Sequence, residues 1–193
     1  MKSIYLQCKL SFTVPDYVIN SLWNIHNKYN TSYGNHTVTT NGHKNSIVIS
    51  EFMVPRDKKL LENKDSVHFV EHHKLRTEWL FIDDDIIVVD KFIKQHFSSA
   101  FQFRIDRLLA RQMQGWHANH PYPRVFIPMH ENICRFKIKA NTESFDNLYN
   151  LGECWMWDVR QLHMVDNTKS DQDRVMALFD IDPAIETNTE IFN

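Results

Sequence analysis

Between Phe101 and Ile181 the chain passes through a series of short apolar segments, each closed by a turn signal, and this texture limits the fold more than any other feature. Phe101 to Met113 alternates and stops at Gln114-Gly115, Arg124 to Met129 is short and apolar, and Cys134 to Ala140 alternates again. Gly152 to Asp158 and Arg174 to Ile181 complete the series. Short strands at this spacing close into a β-sandwich or barrel. No internal repeat, low-complexity tract or Pro/Gly-rich linker divides this half from the one before it. With 193 residues, 42% hydrophobic, one ordinary core is the expectation, so a single domain is predicted. Within it, 1–98 reads as a mixed α/β part, 99–183 as the β core and 184–193 as a tail. The fold class is mainly β with flanking helices.

The first half supplies the helices. Val18, Leu22, Ile25 and Tyr29 recur at helical spacing after Val14-Pro15-Asp16, and proline is tolerated in a first turn. Asp83 to Phe97 opens with three acidic residues, which favour a helix N-terminus, and carries Ile87, Phe92, Ile93 and Phe97 as an apolar stripe. Ile4 to Leu10 and Ser46 to Phe52 read as strands. Asn30 to Lys44 reads as a polar loop or weak hairpin turning at Asn41-Gly42, and the charged run Lys58 to Lys74 as a further helix.

A net charge of -2 gives no reason to expect phosphate-backbone binding, so nucleic acid is not an expected partner. Three cysteines, Cys8, Cys134 and Cys154, are an odd count without CxxC spacing and fit free, mostly buried thiols. No stretch has signal-peptide character or membrane-spanning length, so a cytoplasmic protein without membrane attachment is expected.

Two stretches carry the chemistry. Gln114–His130, QGWHANHPYPRVFIPMH, and His163–Asp182, HMVDNTKSDQDRVMALFDID, each join a histidine to an arginine through turn residues and an apolar run. His117 and His163 both lie where a strand meets a loop, and imidazole suits Fe, Zn, Cu and Ni. Two readings stand for the pair: ligands of one metal, or hydrogen-bonded histidines near a barrel rim. Arg174 and Arg124 each begin an apolar strand, where a buried charge needs a partner. A bidentate guanidinium suits a small carboxylate, and a salt bridge to one of the many Asp and Glu is the alternative. The seven histidines before the β half, His72 and His73 among them, read as solvated surface.

The order His117-x-Asn119, Arg124-Val-Phe-Ile-Pro, Cys134-Arg-Phe-Lys-Ile, Gly152-Glu-Cys-Trp-Met-Trp-Asp, His163 and Arg174-Val-Met-Ala-Leu-Phe-Asp resembles the aspartyl/asparaginyl β-hydroxylase family of 2-oxoglutarate oxygenases. The resemblance covers roughly Phe101 to Pro183. It implies a double-stranded β-helix, a jelly-roll or cupin-like core, with Fe(II) as cofactor and 2-oxoglutarate and O2 as cosubstrates. By position, His117 and His163 become iron ligands, Arg174 grips the distal carboxylate of 2-oxoglutarate, and Arg124 sits near its metal-bound end. The implied reaction is oxidative decarboxylation to succinate and CO2 coupled to hydroxylation of an amino-acid side chain, in a free amino acid or in an Asp/Asn-like residue of a peptide or protein.

The departure is Asn119, where most related oxygenases place a third, aspartate ligand and the vertebrate-type aspartyl β-hydroxylases a glycine. Asn119 has three options: weak ligation through its amide oxygen, a hydrogen bond to a water in that position, or turning away. His120 is an alternative ligand. Phe126 stands where relatives tend to carry a cosubstrate-holding histidine. Trp116, Trp155 and Trp157 read as core or rim packing, or, for one of them, as pocket lining, in which case it is Trp116 at the cosubstrate because it adjoins a ligand; His130 and Arg107 are further pocket candidates. Besides the oxygenase, two other classes are open: a degenerate metal- or carboxylate-binding barrel disabled by Asn119, and a structural or carbohydrate-related cupin-like protein.

Overall fold

A computed structural model describes residues 7–29, 46–48, 50–53, 76–79, 83–118, 122–140, 143–183 and 186. The predicted loop at 30–44, the predicted helix at 58–74, and Asn119 and His120 lie outside the described residues.

The first strands and the two described helices come from the N-terminal half. Strand β1 (Gln7–Lys9) precedes helix α1 (Asp16–Tyr29), whose first turn is closed by the Pro15 carbonyl accepting from the N–H groups of Val18 and Ile19. Val18, Ile19, Ser21, Leu22 and Ile25 form its buried side. Strands β2 (Ser46–Val48) and β3 (Ser50–Met53) divide what the sequence suggested was one strand, and β3 pairs with β4 (Arg76–Trp79). Helix α2 (Asp84–His96) begins where the Asp83 carboxylate accepts the Ile86 N–H at 2.9 Å, an N-cap followed by two more acidic residues. Its buried side is Ile86, Val89, Phe92 and Ile93, followed by Phe97: of the stripe read from the sequence Phe92, Ile93 and Phe97 are buried, and Ile87 is exposed with Ile86 in its place.

The remaining eight strands are β5 (Ala100–Leu108), β6 (Met113–His117), β7 (Arg124–Pro128), β8 (Arg135–Ala140), β9 (Glu143–Asn147), β10 (Trp155–Trp157), β11 (Leu162–Asp166) and β12 (Arg174–Ile181). They divide between two antiparallel sheets. One has the order β1-β10-β7-β12-β5-β2 and the other β6-β11-β8-β9. Four of the eight lie in each sheet, with chain-distant strands side by side, which is a jelly roll. The predicted run Phe101 to Met113 is two strands in different sheets, because the chain turns at Leu109–Gln112. The Asn167 side-chain amide donates to the carbonyls of Leu108 and Leu109 and holds that turn.

Alternation then assigns the two faces of the six-stranded sheet. Val125, Ile127, Val175, Ala177, Phe179 and Ile181 face α1 and α2 and join the larger core. Phe126, Met176 and Leu178 face the second sheet and meet Phe136, Ile138 and Val165 in a smaller one. Strands β7 and β12, covered on both sides, are buried along their whole length. Among the described residues no helix is long and apolar enough to cross a membrane.

A candidate metal and carboxylate site between the sheets

His117 ends β6 and His163 lies in β11, and the two are direct partners in the ladder. Their ring centres are 4.2 Å apart with planes inclined at 56°. The register slips just beside them: Val165 pairs with Gln114, so Gly115 and Trp116 together oppose Met164. This is a β-bulge, and it has a geometric effect on the site. In a regular strand Gln114 and His117, three residues apart, point to opposite faces. The extra residue turns His117 to the face that carries Gln114, and both line one cleft with His163 and Val165.

Each imidazole is fixed in the same way. His117 Nδ1 donates to the Gly115 carbonyl at 2.7 Å, and His163 Nδ1 donates to the Gln161 carbonyl at 2.8 Å, in both cases two residues back along the chain. A proton held on Nδ1 leaves the Nε2 lone pair as the ligand atom. Burial, together with the neighbouring His117 and Arg124, pushes the His163 pKa down to about 4, so the ring is neutral at neutral pH. With a metal–nitrogen bond of about 2.1 Å and a ring radius of about 1.2 Å, two imidazoles at right angles around one ion have centres about 4.7 Å apart. The observed 4.2 Å fits adjacent ligands with little adjustment. Among the described residues no third His, Cys, Asp or Glu joins them, and the sequence candidates for the next ligand, Asn119 and His120, lie outside those residues.

The two arginines differ. Arg124 lines the cleft, but its guanidinium grips Asp180 in a bidentate pair, with Nε to Oδ1 at 2.6 Å and an outer nitrogen to Oδ2 at 3.1 Å. Asp180 lies opposite Arg124 across the β7–β12 ladder, so the salt bridge is a cross-strand pair. Arg174 also lines the cleft, is 6% exposed, and has no acid partner among the described residues. Its Nε donates to the thioether of Met176 at 2.8 Å, a weak acceptor. A buried guanidinium without a carboxylate is costly, and a bound anion removes that cost.

Other candidates separate from the cleft. Trp116 does not line it: the bulge turns its ring outward, where it is 42% exposed with the Lys139 ammonium 4.8 Å from the ring centre. Trp157 is fully buried in the smaller core and Trp155 packs at its edge. Arg107 lies on the helix side of β5, near His26. His130 lines a second cavity beyond Arg174 rather than the histidine cleft. The cleft has residues that the sequence reading passed over, among them Gln114 and Asp106, the latter bound by Arg104 at 3.2 Å. The alternation of Arg104 and Asp106 with Phe103 and Ile105 was the available signal, since it sets two charges on the face opposite the helices.

No family model matches the sequence, and no curated protein matches it. Solved structures do. The non-heme α-ketoglutarate-dependent epimerase SnoN from nogalamycin biosynthesis is similar over 94% of this chain and 79% of its own, with a TM-score of 0.51 at 8% identity. A 2OG-Fe(II) oxygenase family oxidoreductase from Burkholderia pseudomallei is similar over 54% of this chain, at TM-score 0.45 and 12% identity. The chain spans 59% of that oxygenase, under two thirds of its length. A cupin domain from Bordetella pertussis is similar over 42% of this chain and 80% of its own, at TM-score 0.35 and 21% identity. The two facing sheets and the likeness to SnoN together give this chain a cupin-like jelly-roll fold.

Proposed function

We propose that this protein is an Fe(II)- and 2-oxoglutarate-dependent dioxygenase of the aspartyl/asparaginyl β-hydroxylase type that hydroxylates an amino-acid side chain, in a free amino acid or in a peptide. The observation that carries this reading is a single cleft containing two imidazoles, each with Nδ1 tied to a backbone carbonyl, and a buried arginine without an acid partner among the described residues. His117 and His163 hold the metal through Nε2, and Arg174 holds the far carboxylate of the cosubstrate. Arg124, committed to Asp180, keeps the cleft wall in place and adds positive potential to it. Phe126, Phe136, Val165 and Leu178 line the rest and restrict water. When bound, Fe(II) with 2-oxoglutarate and O2 supplies the oxidising chemistry, yielding succinate, CO2 and a hydroxylated substrate. Asn119 adds no negative charge to the metal's surroundings, so Fe(II) binds more weakly here than with an aspartate at that position.

The test is an anaerobic titration of metal-free protein with Fe(II) and then 2-oxoglutarate, followed by the visible charge-transfer band. The band is expected in the wild type, absent in His163→Ala, and formed in Arg174→Ala only with an apparent affinity for 2-oxoglutarate at least tenfold weaker. Succinate release in air against a panel of amino acids and peptides then identifies the substrate. A wild type that binds Fe(II) and 2-oxoglutarate no better than the two variants would overturn the reading.

A further inference from the structure

Strand β5 sets two charges, Arg104 and Asp106, on the face that looks toward the second sheet. In the β5–β12 ladder Arg104 lies opposite Leu178 and Asp106 opposite Met176. Asp106 and Leu178 both line the cleft that holds His117 and His163. The Asp106 side chain is 20% exposed, so it can be reached from that cleft, whereas the Arg104 side chain is 6% exposed and meets Asp106 through Nε at 3.2 Å. Among the described residues this is the one ion pair of Arg104, and an outer nitrogen of its guanidinium is buried with no hydrogen bond. Arg104 is also close enough to Arg124 for its charge to disfavour that guanidinium.

The charges of this interior do not balance. Among the described residues the guanidinium groups of Arg104, Arg124 and Arg174 are set against the carboxylates of Asp106 and Asp180. A metal with two positive charges and a cosubstrate with two negative ones cancel, so loading the site leaves the surplus cation in place. A surplus buried cation is costly, and one further anion removes it. Asp106 supplies the complementary half, a carboxylate open to the cleft and beside that guanidinium. An anion and a cation a few ångströms apart are what a free α-amino acid presents at one end, while a residue inside a peptide presents neutral amides there. We propose that Arg104 and Asp106 are specificity-determining residues that receive the α-carboxylate and the α-ammonium group of the substrate, so that the substrate is a free α-amino acid and not a residue within a chain. This rests on the oxygenase reading above, which puts the reacting side chain at the histidines of the same cleft.

The experiment is calorimetric titration of the anaerobic protein, loaded with Fe(II) and 2-oxoglutarate, with the proteinogenic L-amino acids in three forms: free, N-acetylated and as the carboxamide. The wild type is expected to bind at least one free amino acid, and each block is expected to weaken that binding about tenfold or more, since it leaves a charged group of the site unpaired. Asp106→Asn is expected to lose the penalty for N-acetylation and keep the penalty for the carboxamide. Arg104→Gln is expected to do the reverse, and both variants to take up 2-oxoglutarate as the wild type does. A purely structural ion pair would not divide the two penalties between the two residues. Binding of no free amino acid, blocked forms that bind as tightly as free ones, or penalties unchanged in the variants overturn the proposal and leave the oxygenase reading intact. Loss of 2-oxoglutarate uptake in either variant also overturns it, by assigning that residue to the fold or to the cosubstrate. A wild type that takes up no 2-oxoglutarate overturns both.

Discussion

Arg124 and Arg174 begin two strands that lie side by side, are 4% and 6% exposed, and have opposite electrostatic situations. Arg124 neutralises Asp180, itself 1% exposed, so the pair is closed. Replacing Arg124 by Met strands a carboxylate in a dry place, and the expected cost is about 3–5 kcal/mol. Arg174 has no such partner among the described residues, and exchanging it for Met removes a buried cation and leaves no acid uncompensated. The expected cost there is below about 1 kcal/mol, with stabilisation as the alternative sign. Urea unfolding of the ligand-free variants measures both. An Arg174→Met variant as unstable as Arg124→Met would mean that Arg174 is structural and would remove the support it gives to a carboxylate site. The sequence presented these two residues as equals, each at the head of an apolar strand. What separates them is Asp180, which is 56 residues from Arg124 in the chain and beside it only across the ladder.

The elements of the site depend on one irregularity. Without the Gly115–Trp116 bulge, alternation would turn His117 out of the barrel while Gln114 stayed inside. Deleting Trp116 restores a regular strand and takes away a side chain that is 42% exposed, so the fold is expected to survive with a small loss of stability. Gln114 and His117 are then two residues apart and share the inner face without a bulge, so Co(II) binding, read from its visible spectrum, is expected to stay within a few-fold of the wild type. A hundredfold loss of Co(II) affinity would show that something other than strand alternation aims the histidine. Much of this level was legible beforehand: α1, α2, β7, β8, β10 and β12 all coincide closely with readable patterns, because each has a strong apolar period or a capping residue. Strands β9 and β11 were not read, since Glu143–Asn147 is largely polar and Leu162–Asp166 is five residues long with a histidine at its second position. The bulge was invisible for the same reason that it works: it breaks the period by which strands are recognised. The facing of His117 and His163 was foreseen from their order in the chain.

At the scale of the whole molecule, one carboxylate joins the N-terminal strand to the barrel. Glu153 receives Lys9 Nζ at 2.6 Å, Trp155 Nε1 at 2.8 Å, and both the backbone N–H and the side-chain amide of Asn150 at 3.1 Å. Nearby, the N–H groups of Leu10 and Val14 donate to the carbonyls of Cys154 and Gly152, so β1 and the start of α1 are fastened along one line. Gly152 holds φ at +79°, a conformation few other residues adopt, which lets the turn present its carbonyl to Val14. Burial alone would raise the Glu153 pKa, but the donors around it outweigh burial and hold it down to about 2 against an ordinary 4.5. The folded state thus binds fewer protons than the unfolded state between those values. The stabilisation is complete above about pH 4.5 and is lost as pH falls through the window to about 2. Because Lys9 is half exposed, solvent screening leaves roughly 1–2 kcal/mol of the effect. Glu153→Gln cannot titrate and keeps at most the two hydrogen bonds that its one oxygen accepts, so its stability at pH 7 should fall by at least that amount while its loss between pH 4.5 and pH 2 becomes shallower than that of the wild type. Urea midpoints at a series of pH values measure the difference. Parallel curves for the two proteins across that window would mean that Glu153 is not the group through which acid lowers stability there.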